Sequence, residues 1–495
     1  MLHRQIKIVK RSPKIDACMY AFAQRYPEQS SARVTSGPQK IAILAALAVL
    51  AACFALDWLR TLIVLNGLFL AFYAVTVLFK VWLIGASVGA DRELDFTAEQ
   101  IAALDEADLP VYSILVPLYR EAASLPHLLE GLRCLDYPRE KLDVLLLLEE
   151  DDEETRQAAR LAELPRYMRA IVTPNAEPKT KPKACNLGLA LARGDYLVIY
   201  DAEDRPDPDK LKKAVLGFAA CPPEVVCLQA KLNFYNQRQN LLTRWFTTDY
   251  STWFDLLLPG LDRIGGPIPL GGTSNHFKVD ALRSLLGWDP FNVTEDCELG
   301  VRLAQQGMKT RMLNSTTWEE ACSRPGYWIR QRSRWVKGYV QTYLAHQRVP
   351  LRLLRSLGPL GALSFHVMVG GTFVSLLVNP IYWAMTAFWF SVQPLLGKDD
   401  AILRVLTGIF PTPLVLCGLL CLFVGNFVFL YGSVLATYKR GYFDLVKYCL
   451  GVPLYWVMGC VGAWKGFLQL FTRPSYWEKT RHGLDLPGAA APETL

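Results

Sequence analysis

The chain has 495 residues, of which 52% are hydrophobic, which argues against a wholly soluble protein and predicts more than one domain, so the apolar runs are first assigned to a membrane. The net charge is +7, and residues 1–40 hold eight Lys or Arg against two acids, so most of the excess precedes the first apolar run. This pattern is typical of a cytoplasmic tail and not of a nucleic-acid groove, so no nucleic-acid partner is expected. The 12 cysteines show no paired CxxC spacing, which argues against a disulfide framework or a zinc site.

The apolar runs predict membrane helices on both sides of a soluble domain. Runs at 41–56 and 59–84 predict two transmembrane helices, since a crossing needs ~20 apolar residues. Between residues 85 and 358 charge is frequent and strand-like segments alternate with helix-like ones, which predicts an α/β domain. Apolar runs then fill residues 359–471, which predict three transmembrane helices, or four if the first run divides at Pro380. A tail follows at 472–495.

Within the domain, strands are predicted at 111–116, 144–148, 170–172, 196–200 and 225–229, and helices at 122–132 and 184–192. A stripe of aromatic and apolar residues recurs at helical spacing between 241 and 257. It lies either in the membrane interface or in the core of the domain.

The fourth predicted strand leads directly into Asp201, Glu203 and Asp204. Ligands of α/β sheets bind beyond the carboxyl ends of strands, and closely spaced carboxylates suit Mg²⁺ or Mn²⁺. The alternative is that these acids are simply solvated. Asp207, which precedes Pro208, is interpreted as the N-cap of the next helix.

Further polar motifs follow one another along the domain. They are VPLYRE (116–121), EEDDEE (149–154), KPKACN (181–186), GGTSN (271–275), TED (294–296) and QRSRW (331–335). Together with the acidic stretch, their order and spacing resemble the family 2 glycosyltransferases, in particular the membrane-embedded synthases of cellulose, curdlan, chitin and hyaluronan. The resemblance covers residues 112–344 and implies an α/β GT-A (Rossmann-like) cytoplasmic domain inserted between transmembrane α-helices.

The resemblance also implies which residues bind the donor, a UDP-sugar. The residues so assigned are Pro117, Tyr119, Glu121, Glu149, Glu150, Lys183, Asn186, Asp201 and Arg334. Asp201 and Glu203 match the metal motif for Mg²⁺ or Mn²⁺, with Asp204 as a substitute ligand. Lys183 is otherwise an ordinary surface lysine.

Asp296, next to Glu295, matches the catalytic base of the family. A base is needed because the acceptor hydroxyl must lose a proton as it attacks the anomeric carbon. One base without a second carboxylate nucleophile implies a single displacement with inversion, which gives a β-linked product. A structural reading is compatible with this role, since Thr294 is placed to cap a helix with both acids at its positive end.

The resemblance assigns acceptor binding to Gln331, Trp335 and Thr273. Gln331 and Trp335 lie four residues apart, on one face of a helix. In the tail, Trp477, Lys479 and Thr480 resemble a gating loop that closes over bound nucleotide. Such a loop requires the tail to be cytoplasmic, and hence an even number of crossings after the domain.

The sequence therefore predicts an inverting, metal-dependent enzyme of the membrane, a bacterial inner membrane being expected, that extends a β-linked polysaccharide from UDP-glucose and moves it across the bilayer. Its expected partners are the UDP-sugar, the growing polysaccharide and the lipid bilayer, and accessory export proteins are compatible with this role. The alternative within the same fold is a non-processive enzyme that makes a glycolipid or lipid-linked sugar. A transporter or receptor is disfavoured, because the acids cluster in the soluble domain and no repeat is visible.

Overall fold

The computed structural model describes residues 6–88, 93–392 and 407–478, together with residues 395 and 405. Its strands are β1 (Ile6–Ile8), β2 (Tyr112–Leu118), β3 (Leu142–Glu149), β4 (Met168–Thr173), β5 (Tyr196–Ile199), β6 (Arg205–Pro206), β7 (Val225–Phe234), β8 (Asn275–Lys278) and β9 (Lys309–Glu319). They form one mixed sheet in the order β1-β4-β3-β2-β5-β8-β7-β9-β6. The first five strands of that order run parallel, so the carboxyl ends of β2, β3 and β5 meet at one edge.

The helices are α1 (Pro13–Met19), α2 (Ala21–Arg25), α3 (Gly37–Val88), α4 (Ala98–Ala102), α5 (Leu125–Arg133), α6 (Glu153–Leu161), α7 (Lys181–Leu191), α8 (Lys210–Ala220), α9 (Leu241–Thr252), α10 (Leu258–Arg263), α11 (Val279–Ser284), α12 (Glu295–Gln305), α13 (Pro325–His346), α14 (Pro350–Phe365), α15 (Gly371–Val392), α16 (Thr412–Leu420), α17 (Asn426–Lys439) and α18 (Val452–Thr472). Single π-helical turns join α9 to α10, α14 to α15 and α16 to α17.

Alternate residues of the central strands enter two hydrophobic cores. Leu115 and Leu147 face the core under α7, whereas Ile114 and Leu146 face the core formed with α5 and α8. Both faces of these parallel strands are therefore covered, which explains why they read as continuous apolar runs. At Gly188 of α7 a Cβ atom would stand 2.9 Å from a methyl group of Leu115 and of Leu147, so only glycine permits this approach of helix and sheet.

The N-terminal residues are part of the domain. Strand β1 pairs in parallel with β4 and extends the sheet at its edge. Ser30 Oγ and the Ser31 amide donate hydrogen bonds to Asp289, at 2.8 and 2.5 Å. Arg348 donates to the carbonyl of Glu28 at 2.8 Å. Residues 6–36 are thus built into the domain and do not form the separate basic tail that the charge pattern predicts.

Helix α3 contains both predicted N-terminal crossings. Its dihedral angles are helical except at Asp57, where φ is −157° and ψ is 91°. Asp57 Oδ1 accepts the amide hydrogen of Arg60 at 2.9 Å and so caps the second segment. Gln39 near the start of α3 donates to the carbonyl of Leu344 at 2.8 Å, and near its end the carbonyl of Ala86 accepts from Arg263 at 3.0 Å. Both ends therefore return to the same domain, as two crossings joined at Asp57 require.

Four helices of the described residues are long and apolar enough to cross a membrane: Gly37–Val88, Pro350–Phe388, Thr412–Lys439 and Val446–Thr472. Helix α15 continues through Pro380, so the structure does not divide the run at that residue. Three candidate spans thus follow the domain, within the range expected from the sequence.

The last candidate span, which contains α18, packs lengthwise against α13. A Cβ atom at Gly466 would stand 2.3 Å from the carbonyl oxygen of Ser333 in α13. Before α18 the carbonyl of Tyr448 accepts from Trp245 Nε1 at 3.1 Å, and after it the carbonyl of Arg473 accepts from Lys337 Nζ at 3.2 Å. Both ends of α18 therefore contact the domain.

The structure resolves two other sequence predictions. The aromatic stripe at 241–257 belongs to the core, since the rings of Phe246 and Tyr250 lie 4.4 and 4.5 Å from that of Phe234 in β7. The N-cap prediction for Asp207 is wrong, because α8 begins at Lys210. Asp207 instead accepts the amide hydrogen of Thr316 at 2.6 Å and so ties the loop after β6 to β9.

Candidate active site

One cavity of about 1610 Å³ opens at the carboxyl edge of the parallel strands. The sequence-predicted site residues that line it are Pro117, Tyr119, Glu121, Glu149, Asp201, Glu203, Thr273, Glu295, Asp296, Gln331, Arg334, Trp335 and Trp477. They come from the ends of β2 and β3, from the turn after β5, from the loop before β8, from α12 and α13, and from the segment after α18. The fold thus brings together side chains separated by up to 360 positions in the chain.

The acidic turn after β5 is held by a buried carboxylate. Asp204 is 1% exposed, and its Oδ2 atom accepts the amide hydrogen of Asp201 at 2.8 Å and the hydroxyl hydrogen of Thr273. Burial raises the pKa of Asp204 well above its usual range, and the charges of Asp201 and Glu203 raise it further. Asp204 therefore positions the turn, and Asp201 and Glu203 are the carboxylates that the cavity receives.

Lys181 lies directly against Asp201. Its Nζ atom is 2.5 Å from Asp201 Oδ1 and 2.5 Å from the carbonyl oxygen of Gly272. Burial alone would lower the pKa of Lys181, but the charges of Asp201 and Glu295 raise it above its ordinary value. The cavity thus contains a firmly protonated ammonium group beside the acidic turn.

The acidic turn suits a divalent cation that is shared with a diphosphate. Mg²⁺ is commonly held by one or two carboxylates together with substrate phosphates. Within the described ranges, no group of three or more His, Cys, Asp or Glu side chains is arranged to hold a metal ion. Asp201 and Glu203 would therefore supply two ligands and the donor the rest. The ammonium group of Lys181, which pairs with Asp201, places one positive charge beside the position where the cation would bind.

Glu295 and Asp296 occupy the first turn of α12. The Thr294 side chain makes no capping hydrogen bond, although Thr294 is at the N-cap position. Asp296 Oδ1 accepts the amide hydrogen of Cys297 at 2.7 Å, and Oδ2 lies 3.4 Å from the point that a Cβ atom of Gly272 would occupy. Burial raises the pKa of both acids, and the charge of Asp296 raises that of Glu295 further. A carboxylate whose pKa is raised towards neutrality is a better general base.

Helix α13 presents Gln331, Arg334 and Trp335 to the cavity. The ring of Trp335 is stacked on that of Tyr250, with a centroid distance of 6.1 Å and an interplanar angle of 26°. The Arg334 guanidinium lies 4.3 Å from the ring centroid of Trp477. The segment after α18 therefore reaches the mouth of the cavity. Lys479 and Thr480, predicted beside Trp477, lie outside the described residues.

Three sequence-predicted donor residues are placed elsewhere. Lys183 is completely buried and pairs with Glu149 Oε2 at 3.0 Å, so it is neither a surface lysine nor a wall of the cavity. Asn186 uses its amide to hold the carbonyls of Met19 and Trp288, at 3.0 and 2.9 Å. The Glu150 carboxylate accepts the amide hydrogen of Asn175 at 2.8 Å, on the outer surface. None of the three lines the cavity, because each is engaged in structural contacts.

Several charged residues of the cavity wall were not predicted, among them Lys181, Glu319 and Arg332. Lys181 precedes Lys183 by two positions, so the motif alone does not show which lysine turns inward. Glu319 ends β9, and burial together with Asp204 and Glu203 raises its pKa well above the usual range. Arg332 precedes Trp335 by three positions and shares its helical face, which is the one signal that the sequence offered.

The cavity continues between the candidate membrane helices, where polar side chains line it. Those on α3 are Asn66, Tyr73, Thr76 and Lys80, and those on α15 are Thr372, Ser375, Asn379, Tyr382 and Thr386. On α15 the spacing alternates between three and four residues, so one polar stripe follows the helix. Tyr382 donates a hydrogen bond to Asn66 Oδ1 at 3.0 Å, which connects the two helices.

Comparison with curated proteins finds related glycosyltransferases. The chain is 26% identical over 235 residues to the probable glycosyltransferase YdaM of Bacillus subtilis (strain 168), covering 47% of this chain and 56% of that protein. It is 28% identical over 246 residues to the beta-monoglucosyldiacylglycerol synthase of Nostoc sp. (strain PCC 7120), covering 48% and 51%. The chain thus spans about half the length of the curated relatives it matches.

Among solved structures, the mannosyltransferase PcManGT from Pyrobaculum calidifontis, in complex with GDP-Man and Mn²⁺, is similar at 19% identity with a TM-score of 0.44. The alignment covers 74% of this chain and 99% of that chain. Residues 113–274 match the family described as glycosyl transferase family 2, and residues 196–448, just over half of the chain, match glycosyl transferase family group 2. The chain therefore belongs to glycosyl transferase family group 2 and is a glycosyltransferase with a GT-A-like fold.

Proposed function

We propose that the protein is an inverting glycosyltransferase that uses a nucleotide-sugar, UDP-glucose being the expected donor, to extend a β-linked polysaccharide. We further propose that the product leaves between the membrane helices. The observation that carries this proposal is the single cavity, which joins the carboxylates and Trp335 to the polar stripe on α15.

Asp296 is the base in this proposal. Its carboxylate, in the first turn of α12, removes the proton of the acceptor hydroxyl as that oxygen attacks the anomeric carbon. The bond to the nucleoside diphosphate breaks on the opposite side, so the configuration inverts. Glu295 is buried beside it, and burial together with the charge of Asp296 raises the pKa of Glu295, so Glu295 keeps its proton more readily and Asp296 is the charged member of the pair.

The departing diphosphate needs positive charge as the bond breaks. Lys181 and Arg334 both line the cavity and supply two positive charges. Lys181 precedes the acid pair in the chain, and Arg334 follows it. A bound Mg²⁺ or Mn²⁺ held by Asp201 and Glu203 would neutralise the diphosphate oxygens. Pro117, Tyr119, Glu121 and Glu149 form the wall at the ends of β2 and β3, where we place the nucleoside.

A hydroxylated chain fits the membrane part of the cavity. Placing polar side chains inside membrane helices costs free energy, and such residues usually mark a substrate path. Here they form a stripe on α15 that faces polar residues of α3, and aromatic rings such as Tyr73 and Tyr382 stand among them. Such a lining offers hydrogen bonds and ring faces, which are the contacts that sugars make. Trp335, on which the acceptor would stack, stands at the entrance.

We infer that the protein crosses the membrane four times, with the α/β domain on the cytoplasmic side. The two segments of α3 and the spans that contain α15 and α17 are the crossings, and α18 lies along the domain at the interface. This arrangement returns residues 473–478 to the side of the domain, where Trp477 contacts Arg334. Two crossings after the domain leave the tail on the cytoplasmic side, as a gating segment requires. Helix α15 therefore need not break at Pro380.

A glycolipid synthase is the second candidate, because one relative is a beta-monoglucosyldiacylglycerol synthase. Apolar residues of the membrane helices also line the cavity and would accept acyl chains. The two candidates share donor, base and fold, and differ only in the acceptor.

Sizing the product of purified full-length protein with UDP-glucose and Mn²⁺ separates these candidates. A polymer that a β-glucanase digests supports the proposal, whereas a chloroform-soluble product with one or two sugars would replace it by the second candidate. Ser375→Trp places an indole in the polar stripe, and Ile381→Trp places one on a face that is 51% exposed. We expect only Ser375→Trp to stop polymer formation while UDP release continues. A polymer of unchanged length from Ser375→Trp would contradict the proposed path.

A further inference from the structure

A cluster of three charged side chains and one tyrosine lies where the cavity passes from the domain to the candidate membrane helices. It is formed by Lys80 of α3, Asp249 of α9, Arg332 of α13 and Tyr455 of α18, all of which line the cavity. The elements come from four distant parts of the chain, so only the tertiary structure assembles the cluster. The guanidinium of Arg332 lies 4.4 Å from the ring centroid of Trp335, which places the cluster next to the proposed acceptor platform.

Arg332 is committed to contacts within the protein. Its Nη2 atom donates to Asp249 Oδ2 at 2.8 Å and also to the hydroxyl of Tyr455. Its guanidinium also lies over the rings of Phe246 and Trp328, at 4.8 and 5.0 Å from their centroids. Arg332 is therefore a fixed cation that orients the Asp249 carboxylate.

Asp249 retains capacity for a ligand. Both of its hydrogen bonds in the described part of the chain, from Arg332 and from the Tyr455 hydroxyl at 3.1 Å, end on Oδ2. Its side chain is 36% exposed even though it lies between α13 and α18, so its exposed surface faces the cavity. Hydrogen bonds to Oδ2 thus fix the orientation of the Asp249 carboxylate, and Oδ1 is presented to the cavity as a hydrogen-bond acceptor.

Lys80 presents donors to the same space. No carboxylate of the described residues lies within 4.0 Å of its Nζ atom, although the charge of Asp249 acts on it. Nζ lies 4.9 Å from the ring centroid of Phe429 on α17. An ammonium group in a membrane helix without an ion-pair partner is costly, and such residues usually serve a substrate path.

We propose, on the basis of the proposed function, that Lys80 and Asp249 form a sugar subsite that grips the growing glycan beyond the unit stacked on Trp335. Sugar hydroxyls both donate and accept hydrogen bonds, so one ring is held by the Lys80 ammonium and the Asp249 carboxylate together. The ligand is a hydroxylated chain, because the subsite presents one charged donor group and one charged acceptor group to the same space. Arg332 is a positioning residue that acts through Asp249.

The subsite predicts a change in product length without a comparable change in chemistry. A chain held less tightly dissociates sooner, so Lys80→Met and Asp249→Asn should shorten the polymer about tenfold, the effect of losing one charged hydrogen bond. UDP release at saturating donor should stay within about twofold of wild type, since neither side chain contacts the reacting atoms. Lys80→Arg, which keeps the charge and donors, should retain long product.

The experiment compares these variants with wild type and with Lys40→Met, an exposed lysine at the start of α3. Each full-length protein is purified in the same detergent, checked for an unchanged Tm, and assayed for UDP release and product length. Unchanged length in both Lys80→Met and Asp249→Asn would overturn the subsite. If Lys80→Met fails to fold, the isosteric Asp249→Asn decides alone. A single-sugar product from wild type would instead reject the polymer function itself, so the two failures are distinct.

Discussion

Asp296→Asn tests the assignment of the base. The substitution keeps the shape of the side chain, and an amide oxygen can still accept the hydrogen of the Cys297 amide that Asp296 Oδ1 accepts at 2.7 Å. The fold and donor binding should therefore persist, while the group that removes the acceptor proton is lost. General-base catalysis contributes roughly 10²- to 10⁴-fold, so kcat should fall by that factor, or about 3–5 kcal/mol in the activation barrier.

The pH dependence gives the same test a second readout. Burial raises the pKa of Asp296, and only the deprotonated form accepts a proton, so wild-type activity should rise with pH through a midpoint above the ordinary Asp range. The variant should lose this rise. UDP release from UDP-glucose is measured from pH 5 to pH 9, with calorimetric UDP binding as the control for an intact site. A variant within tenfold of wild type, with the same acidic limb, would refute the assignment.

Three further predictions concern the metal, the core and the topology. Chelation by EDTA should abolish UDP release and Mn²⁺ should restore it, with Asp201→Asn requiring at least tenfold more Mn²⁺; activity that persists in EDTA would contradict a metal role for the acidic turn. Lys183→Met should destabilise the protein by about 3–5 kcal/mol, seen as a lower Tm, because it leaves Glu149 buried without its partner; an unchanged Tm would contradict this. A cysteine introduced at position 478 should react with membrane-impermeant maleimide only after cells are opened. One introduced at position 58, beside the turn at Asp57, should react in intact spheroplasts. The reverse pattern would contradict the four-crossing topology.

Local sequence properties predicted the strands, the soluble domain with apolar runs before and after it, and the order of the motifs. Strands β2 and β3 are buried on both faces, so each reads as a largely apolar run of strand length. The acids after β5 follow a hydrophobic strand directly, and the carboxyl ends of parallel strands share an edge, so their position was predictable from the chain alone. The pair at the start of α12 follows a loop and was assigned through its motif.

Other features depend on contacts between residues that are far apart in the chain. Lys181 and Lys183 have the same local sequence environment, and the rotation of α7 against the sheet decides that one reaches Asp201 and the other Glu149. Asn186 matches a nucleotide motif, yet the loop at Trp288 and the end of α1 take both atoms of its amide. The basic residues before α3 resemble a free tail because nothing in their composition shows that β4 leaves an edge open.

The same limit applies to the membrane segments. Apolar composition shows that a helix avoids water, but lipid and protein are equally apolar surroundings, so it does not distinguish a crossing from a helix such as α18 that packs against α13. The cluster of Lys80, Asp249, Arg332 and Tyr455 likewise draws on four helices, none of which carries a recognisable motif for it. The sequence by itself determined the fold class and indicated the family, because both follow from local patterns and from the order of the motifs. The tertiary structure alone decided which charged side chains share the cavity, because their distances depend on how the elements pack.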